Sequence, residues 1–209
     1  MDLLTYGFLS IVIIIMVTKW LFEWKMYKNS VYGILYSTFT EYRMRKKTVI
    51  GMSESMKLNE LFGSSRIIYH VLDSKQNKLT SFVTIFLSSG CYVIGISMKN
   101  MVDKNSVKIV EKFLHENIMD KLDKTIYMEQ EIPTHIILLV SDNELYGNNQ
   151  EQIGSTHIIK RSEVIENIKE IHNASKSVLT QEDISHIFQL VAQEALKTEK
   201  ELADSKKMW

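Results

Sequence analysis

The chain has few of the residues that cross-link or sharply redirect a backbone: its 209 residues include one cysteine, one proline and eight glycines. A single cysteine excludes a framework of internal disulfides, which needs cysteines in pairs. Cys91 lies within an apolar stretch, so we predict that it is a small core residue and not a reactive thiol. The scarcity of proline and glycine leaves little room for a long disordered linker.

The chain also lacks an excess of charge, with 25 basic and 25 acidic side chains. No global positive field therefore attracts nucleic acid, and any such contact would need a local patch. The glycine-rich nucleotide-binding motifs and the G-x-S-x-G motif are absent, so nucleotide binding and acyl transfer have no support. The histidines show no zinc-ligand spacing: they are His70, His115, His135, His157, His172 and His186.

The most prominent feature that is present is an apolar run at the amino end. Residues 3–18 carry no charge, and the run continues past Lys19 to Trp24. Its length matches the roughly 20 residues that cross a bilayer, with Trp20 and Trp24 placed as interfacial residues. We therefore predict a single transmembrane anchor over residues 1–24. The alternative, a cleaved signal peptide, would need early basic residues and a small-residue cleavage site, which this stretch lacks.

Residues 25–50 form a basic juxtamembrane segment that predicts the topology. Its only acidic residue is Glu41, and only Asp2 is charged ahead of the apolar run. The positive-inside rule then predicts a single-pass protein of the cell membrane, with its N-terminus outside and its C-terminal domain in the cytosol. Apolar residues at roughly helical spacing also predict a helix lying on lipid headgroups: they are Tyr27, Val31, Leu35 and Phe39.

The basic cluster between Arg43 and Lys47 has two interpretations. One is a topology signal that contacts lipid headgroups, and the other is a patch that binds nucleic acid. Because the cluster lies close to the membrane segment in sequence, we favour the lipid interpretation.

Residues 51–192 alternate between patterns typical of helices and of strands, which predicts a mixed α/β sandwich around one central sheet. The expected strands cover residues 66–72, 80–87, 91–98, 135–140 and 156–160, with 135–140 in the middle of the sheet. The expected helices are one over 51–61 ended by Gly63, one carrying Val107, Val110 and Leu114, and one capped by Ser162. A turn is expected over 73–77 and a loop over 141–151.

Two features mark the C-terminal part. The stretch from Thr180 to Asp183 has the form of a capping box, in which side chains at both positions satisfy backbone groups at a helix start. The helix that follows carries one apolar face, made of Ile184, Ile187, Phe188, Val191 and Ala195. Residues 193–209 form a charged extension, which predicts a solvent-exposed helix or a surface for a protein partner.

The stretch from Lys78 to Asn100 organises the domain. Two apolar runs flank Ser88-Ser89-Gly90, as in a hairpin buried on both faces, and the second leads into Ser97-Met98-Lys99-Asn100. An αβββαβ order with such a hairpin resembles the restriction-endonuclease-like superfamily and, more narrowly, a nuclease-related (NERD) domain. The resemblance covers most of residues 51–192. The positions that match are Gly51-x-x-Glu54 with Leu61, Gly90, Lys99-Asn100, the strand and loop at 136–143, Ile158-Ile159, the helix from Ser162, and 179–184.

The resemblance implies a metal-dependent nuclease, but this chain departs from it at the metal-binding positions. Where the family has an aspartate the chain has Thr80 or Ser81, and where it has a glutamate the chain has Ser97. Ile109 stands where the family has a glutamine. A serine hydroxyl is a neutral and much weaker ligand for Mg²⁺ than a carboxylate. We therefore expect no metal and no cofactor at the degenerate positions, which are Glu54, Ser81, Ser97 and Lys99.

These observations predict a single-pass membrane protein that presents a degenerate nuclease-related domain as a binding or scaffolding module. One alternative is an active, Mg²⁺-dependent nuclease that uses relocated acids such as Glu54 and Asp73, although Asp73 also fits a turn. Another is an accessory subunit of a larger membrane assembly. Lys99 is then either a remnant that contacts phosphate or simply a charged strand end. The expected partners are the membrane, a protein at the C-terminal helix and, with less support, nucleic acid.

Overall fold

The computed structural model describes residues 2–45, 53–70, 79–97, 108, 111–112, 132–140, 152–153 and 156–193. The helices are α1 (Asp2–Asn29), α2 (Tyr32–Leu35), α3 (Phe39–Arg45), α4 (Met56–Phe62), α5 (Val164–Ala174) and α6 (181–193). The strands are β1 (Arg66–His70), β2 (Leu79–Leu87), β3 (Gly90–Ser97), β4 (Thr134–Val140), β5 (Gln152–Ile153) and β6 (Thr156–Lys160). Residues 108, 111 and 112 are also helical.

Helix α1 confirms the apolar helix predicted at the amino end. Its segment Tyr6–Lys28 is long and apolar enough to cross a membrane, with a mean hydropathy of 1.7. Its apolar side chains face outward: Ile14 is 63% exposed and Phe22 is 65% exposed. An exposed apolar surface of this length is typical of a segment that contacts lipid or another protein.

The strands form one six-stranded sheet in the order β1-β2-β3-β4-β6-β5. Strands β1, β2 and β3 form an antiparallel meander, whereas β3, β4 and β6 run parallel. Strand β4 lies in the interior of the sheet, as its continuous apolar sequence predicts. The short strand β5 pairs antiparallel with β6 at one edge, and nothing in the sequence predicts this two-residue element.

The turn between β2 and β3 needs glycine at its end. Gly90 has a φ of 139°, which side-chain-bearing residues rarely adopt. A Cβ atom at Gly90 would also overlap the carbonyl oxygen of Pro133, and this carbonyl accepts a 2.8 Å hydrogen bond from the amide of Cys91. The glycine therefore lets the hairpin approach the start of β4 closely.

Both faces of the sheet are buried. Alternate residues of the strands, such as Ile85, Ile94 and Ile137, share a core cluster with Leu58 of α4 and with residues of α5. The residues between them are buried too, and they include Phe86, Val93 and Leu138. Cys91 belongs to this second set and is fully buried, which confirms it as a core residue.

The segment expected to lie on lipid headgroups has a different structure. It forms the two short helices α2 and α3, and its apolar residues Val31, Leu35 and Tyr42 are buried in the same core as the sheet. The segment is amphipathic, as predicted, but its apolar side chains pack against the protein core. The core of the α/β domain therefore begins at Val31, within the 25–50 segment and ahead of residue 51.

Capping residues mark both ends of α4 and the start of α6. Ser55 accepts a 3.3 Å hydrogen bond from the amide of Leu58 at the start of α4, and Gly63 with a φ of 75° follows its end. Asp183 accepts bonds from the amide of Thr180 at 2.8 Å and from its hydroxyl at 2.6 Å, which confirms the capping box. The prediction that Ser162 caps a helix is wrong, because Ser162 lies within the 3-10 turn Arg161–Glu163 and α5 begins after it.

Several predictions concern positions outside the described residues. They are the turn over 73–77, the residues Met98, Lys99 and Asn100 after β3, most of the helix carrying Val107, Val110 and Leu114, the loop over 141–151, and the charged extension beyond residue 193.

Candidate functional site

The open end of the β2–β3 hairpin is where the resemblance places a metal site. Leu79 pairs with Ser97 and Ser81 pairs with Ile96, so the intervening Thr80 forms an irregularity in the ladder. The backbone thus brings Thr80, Ser81 and Ser97 to one end of the hairpin, as expected. None of these residue types carries the negative charge with which a carboxylate holds Mg²⁺.

Of the two acidic candidates, Asp73 lies outside the described residues, and Glu54 lies at the other end of the sheet. Its carboxylate forms a 3.1 Å ion pair with Arg66, whose guanidinium also donates to the carbonyl of Ser65. Arg66 pairs in register with Phe86, five residues from Ser81 along β2, which corresponds to about 17 Å. The structure therefore does not bring Glu54 to Ser97. Within the described ranges, no three His, Cys, Asp or Glu side chains are grouped so as to hold a metal ion.

A polar network occupies the closed end of the same hairpin. The Ser89 hydroxyl lies 2.8 Å from the Tyr92 hydroxyl and 2.7 Å from Nδ1 of His172 on α5. Burial lowers the pKa of His172, and burial raises the pKa of Tyr92 more than the bond to Ser89 lowers it. Ser89 is only 1% exposed, so its hydroxyl is shielded from solvent, and the pair links the hairpin turn to α5.

His135 extends this polar region along β4. Its ring stacks on Tyr92 with 4.9 Å between centroids, and its Nε2 is buried without a hydrogen-bond partner among the described residues. Burial lowers the pKa of His135, and the nearby His157 lowers it further. A neutral ring avoids the free-energy cost of a positive charge at this half-buried position.

An acidic cleft of about 370 Å³ lies between β6 and α5. Its lining includes His157 from β6 and Asn167 from α5, together with Ile158, Ile159, Glu163, Glu166 and Glu170. The Oδ1 atom of Asn167 is buried and has no hydrogen-bond partner in the described part of the chain. Acceptors of this kind suit a positively charged group, but the described side chains do not form a metal site there.

The junction between α1 and the domain is an extended contact. The guanidinium of Arg161 donates hydrogen bonds to the carbonyl oxygens of Lys28 and Ser30, at the end of α1. The Tyr27 hydroxyl donates to the carbonyl of Tyr36 at 2.9 Å. These contacts satisfy carbonyl groups that a helix end leaves unpaired, and they fasten α1 to the turn after β6.

Aromatic rings surround this junction. Tyr32 lies between Tyr42 and Tyr69, with centroid distances of 5.0 and 4.9 Å. Tyr27 contacts Phe39 at 5.6 Å and Tyr42 at 5.4 Å. Burial raises the pKa of Tyr32 and, more strongly, of Tyr69, so both phenols are neutral at physiological pH. The cluster therefore joins α1, α3 and β1 by packing that does not depend on charge.

Sequence reasoning missed both the Ser89–His172 contact and the Arg161 contact. Their partners are 83 residues apart in one case and 133 and 131 residues apart in the other, so no local spacing could indicate them. The tyrosine-rich composition of residues 27–42 was the one available signal for the aromatic cluster.

Comparison of the chain with protein-family models, with curated proteins and with solved structures gives no match. The resemblance to nuclease-related domains therefore stays a prediction.

Proposed function

We propose that the chain is a single-pass membrane protein whose α/β domain acts in the cytosol as a binding or scaffolding module. The observation that carries this proposal is the exposed apolar helix α1, whose end is fastened into the domain by Arg161. An anchor joined to the domain by a flexible linker would only localise it. An anchor bonded and packed to the domain also fixes how the domain faces the membrane.

The orientation rests on the charges at the C-terminal end of α1 and after it. Lys25 and Lys28 lie in the last turns of α1, and Arg43 and Arg45 follow it; basic residues flanking a span favour the cytosolic side. We propose that the amino end faces outward and that the sheet lies on the cytosolic side of the cell membrane.

Our proposal that the domain has no nuclease activity rests on the two ends of the sheet. Thr80, Ser81 and Ser97 meet at the end where the family resemblance puts carboxylates, and Glu54 is held by Arg66 at the opposite end. The proposed restriction-endonuclease-like core gains support from the order α4, β1, β2, β3, helical residues at 108, 111 and 112, and β4. We propose that this domain retains a nuclease-like fold but does not bind a metal ion.

The experiment for catalysis uses the full chain in mild detergent. It is incubated with labelled single-stranded and double-stranded DNA and with RNA, in Mg²⁺ and in Mn²⁺. We expect no cleavage above a buffer control. Cleavage that disappears in the Lys99→Ala variant would overturn the proposal and favour an active nuclease.

The experiment for topology first removes the single native cysteine and then introduces one thiol at a chosen position. In a Cys91→Ala background, Asp2→Cys and Ser177→Cys each place one thiol, the first at the amino end and the second at an exposed position after α5. A membrane-impermeant maleimide added to intact cells should label the first variant, and the second only after lysis. Labelling of Ser177→Cys in intact cells would reverse the orientation.

A further inference from the structure

A second, apolar cleft lies where α3 packs against the last turns of α1. Its volume is about 320 Å³, and Trp20, Phe39, Thr40, Arg43 and Met44 line it. The cleft is separate from the acidic cleft on α5 and from the hairpin, and neither the sheet nor the degenerate nuclease positions contribute to it.

The walls of this cleft are aromatic and apolar. The rings of Trp20 and Phe39 meet edge to face at 5.8 Å, and Phe39 also lies 5.6 Å from Tyr27. Trp20 and Tyr27 are two turns apart on one side of α1, so α3 lies along the end of that helix. Trp20 remains 45% exposed and Met44 remains 72% exposed, so the apolar walls are open to an occupant.

One cation lies at the rim of the cleft. The Nε atom of Arg43 is 3.4 Å from the Glu23 carboxylate, and its guanidinium carbon is 5.9 Å from the Phe39 ring centroid. These contacts orient the side chain, which is still 54% exposed. No contact among the described residues occupies its two terminal nitrogens. A planar guanidinium presented in this way matches the oxygen pairs of a phosphate.

The position of the cleft on α1 indicates what fills it. A bilayer core takes about 20 helical residues, so a helix that enters near its amino end leaves the hydrocarbon close to Trp20. From Trp20 to Arg45 the chain has four basic residues (Lys25, Lys28, Arg43 and Arg45) and two acidic ones (Glu23 and Glu41), a net charge of +2. The cleft thus combines apolar walls with one cation, Arg43, at the depth of the lipid headgroups.

We infer that the cleft between α1 and α3 binds an anionic phospholipid of the surrounding bilayer. Arg43 binds the lipid phosphate, and Trp20, Phe39 and Met44 pack against the first part of an acyl chain. This inference rests on the proposed membrane insertion of α1. It adds that the chain selects a lipid at a defined site beside α3, a helix that also packs into the domain core through Tyr42.

The test uses Trp20 as a fluorescent reporter in the full chain. Trp24→Phe and Trp209→Phe leave Trp20 as the single tryptophan, and the protein is reconstituted in phosphatidylcholine nanodiscs. Brominated phosphatidylglycerol or brominated phosphatidylcholine is added at equal mole fraction, since bromine quenches a nearby indole. Both lipids carry a phosphate, but the choline ammonium of phosphatidylcholine compensates its charge, so we expect the anionic lipid to be enriched about fivefold over the neutral lipid at Trp20.

Matched variants separate the site from general charge attraction. Arg43→Gln should remove the preference, and Arg43→Lys should reduce it, because an ammonium keeps the charge but cannot form the paired contact. Lys25→Gln removes the same charge outside the cleft and should leave the preference within twofold. Equal loss in Lys25→Gln and Arg43→Gln would overturn the site and leave only surface attraction.

The outcomes distinguish this inference from the proposed function. If both brominated lipids quench Trp20 equally in the parent protein, α1 is inserted and the lipid site is wrong. If neither lipid quenches Trp20 and its emission is that of indole in water, α1 is not inserted in the bilayer. That result would reject the proposed function itself. Arg43→Lys serves as the second variant if Arg43→Gln does not fold.

Discussion

The hydroxyl of Ser89 lies 2.7 Å from Nδ1 of His172, which joins the tight turn of the central hairpin to helix α5 across 83 residues of sequence. Nearby, the carbonyl of Ser88 accepts hydrogen bonds from the amides of Val178 and Leu179, at 2.8 and 2.9 Å. The hairpin turn is therefore hydrogen-bonded both to α5 and to the segment that follows α5.

Ser89→Ala should destabilise the protein by about 1–3 kcal/mol, because it removes a hydrogen-bond partner of the buried Tyr92 hydroxyl and of the half-buried His172 ring. The measurement is the free energy of unfolding in urea, with the full chain in detergent micelles. Ser177→Ala is the matched control, since Ser177 is exposed, and it should change the value by less than about 0.5 kcal/mol. Equal effects in the two variants would show that the buried contact contributes nothing.

Stability should fall as the pH is lowered below about 6.5, the ordinary pKa of histidine. Burial lowers the pKa of His172 and of His135 in the folded protein, so the unfolded chain binds protons first. The stabilisation is complete above the unfolded pKa and is lost as pH falls through the folded pKa. Urea midpoints at pH 7.5 and 5.0 measure the loss, and His172→Gln should make it smaller. An unchanged pH dependence in that variant would assign the effect to other groups.

The sequence predicts the strands well because each apolar run is long enough to be buried on both faces and is bounded by polar residues. It predicts the α2–α3 region poorly for an equally physical reason. A stripe of Val31, Leu35 and Phe39 indicates an apolar environment but does not distinguish lipid from a protein core. Only the tertiary structure shows that Val31 and Leu35 are buried with the sheet.

The candidate site shows the same limit. The hairpin pattern predicts that Ser81 and Ser97 share one end, because antiparallel pairing fixes which residues are opposite. The location of Glu54 could not be predicted, since it depends on how α4 docks and on the ion pair with Arg66.

Gly90→Ala should be far more damaging than Gly63→Ala. Both glycines have a positive φ, 139° and 75°, so each substitution strains the backbone by about 1–3 kcal/mol. At Gly63 the new Cβ meets nothing within 4 Å, whereas at Gly90 it overlaps the Pro133 carbonyl and displaces β4. We expect Gly63→Ala to fold with a reduced melting temperature, whereas Gly90→Ala should give little folded protein. Similar yields and melting temperatures would show that the turn can move away from Pro133.

Thr180→Ala should weaken the start of α6 by about 1 kcal/mol, the usual effect of losing a capping side chain. Its hydroxyl donates to Asp183 at 2.6 Å and accepts from the Asp183 amide at 3.2 Å. The hydrogen bonds from Thr180 lower the pKa of Asp183, so the cap is present above the unfolded pKa near 4 and is lost as pH falls through the folded value. Hydrogen exchange of residues 181–185 should therefore accelerate in Thr180→Ala at pH 7. The same rate in both proteins would mean that packing of Ile184 alone holds the helix start.

Arg161→Ala should loosen the connection between α1 and the domain without unfolding the sheet. The carbonyls of Lys28 and Ser30 lose a charged donor, and hydrogen bonds to charged groups contribute about 1.5–3 kcal/mol. Amide exchange at residues 30–36 should rise, while exchange in β3 and β4 should stay slow. Arg161→Lys should give an intermediate rate, because an ammonium does not reproduce the planar contact with two carbonyls. A uniform rise across the sheet would show that Arg161 supports the whole domain, and no change at residues 30–36 would show that the aromatic contacts of Tyr27 hold α1 by themselves.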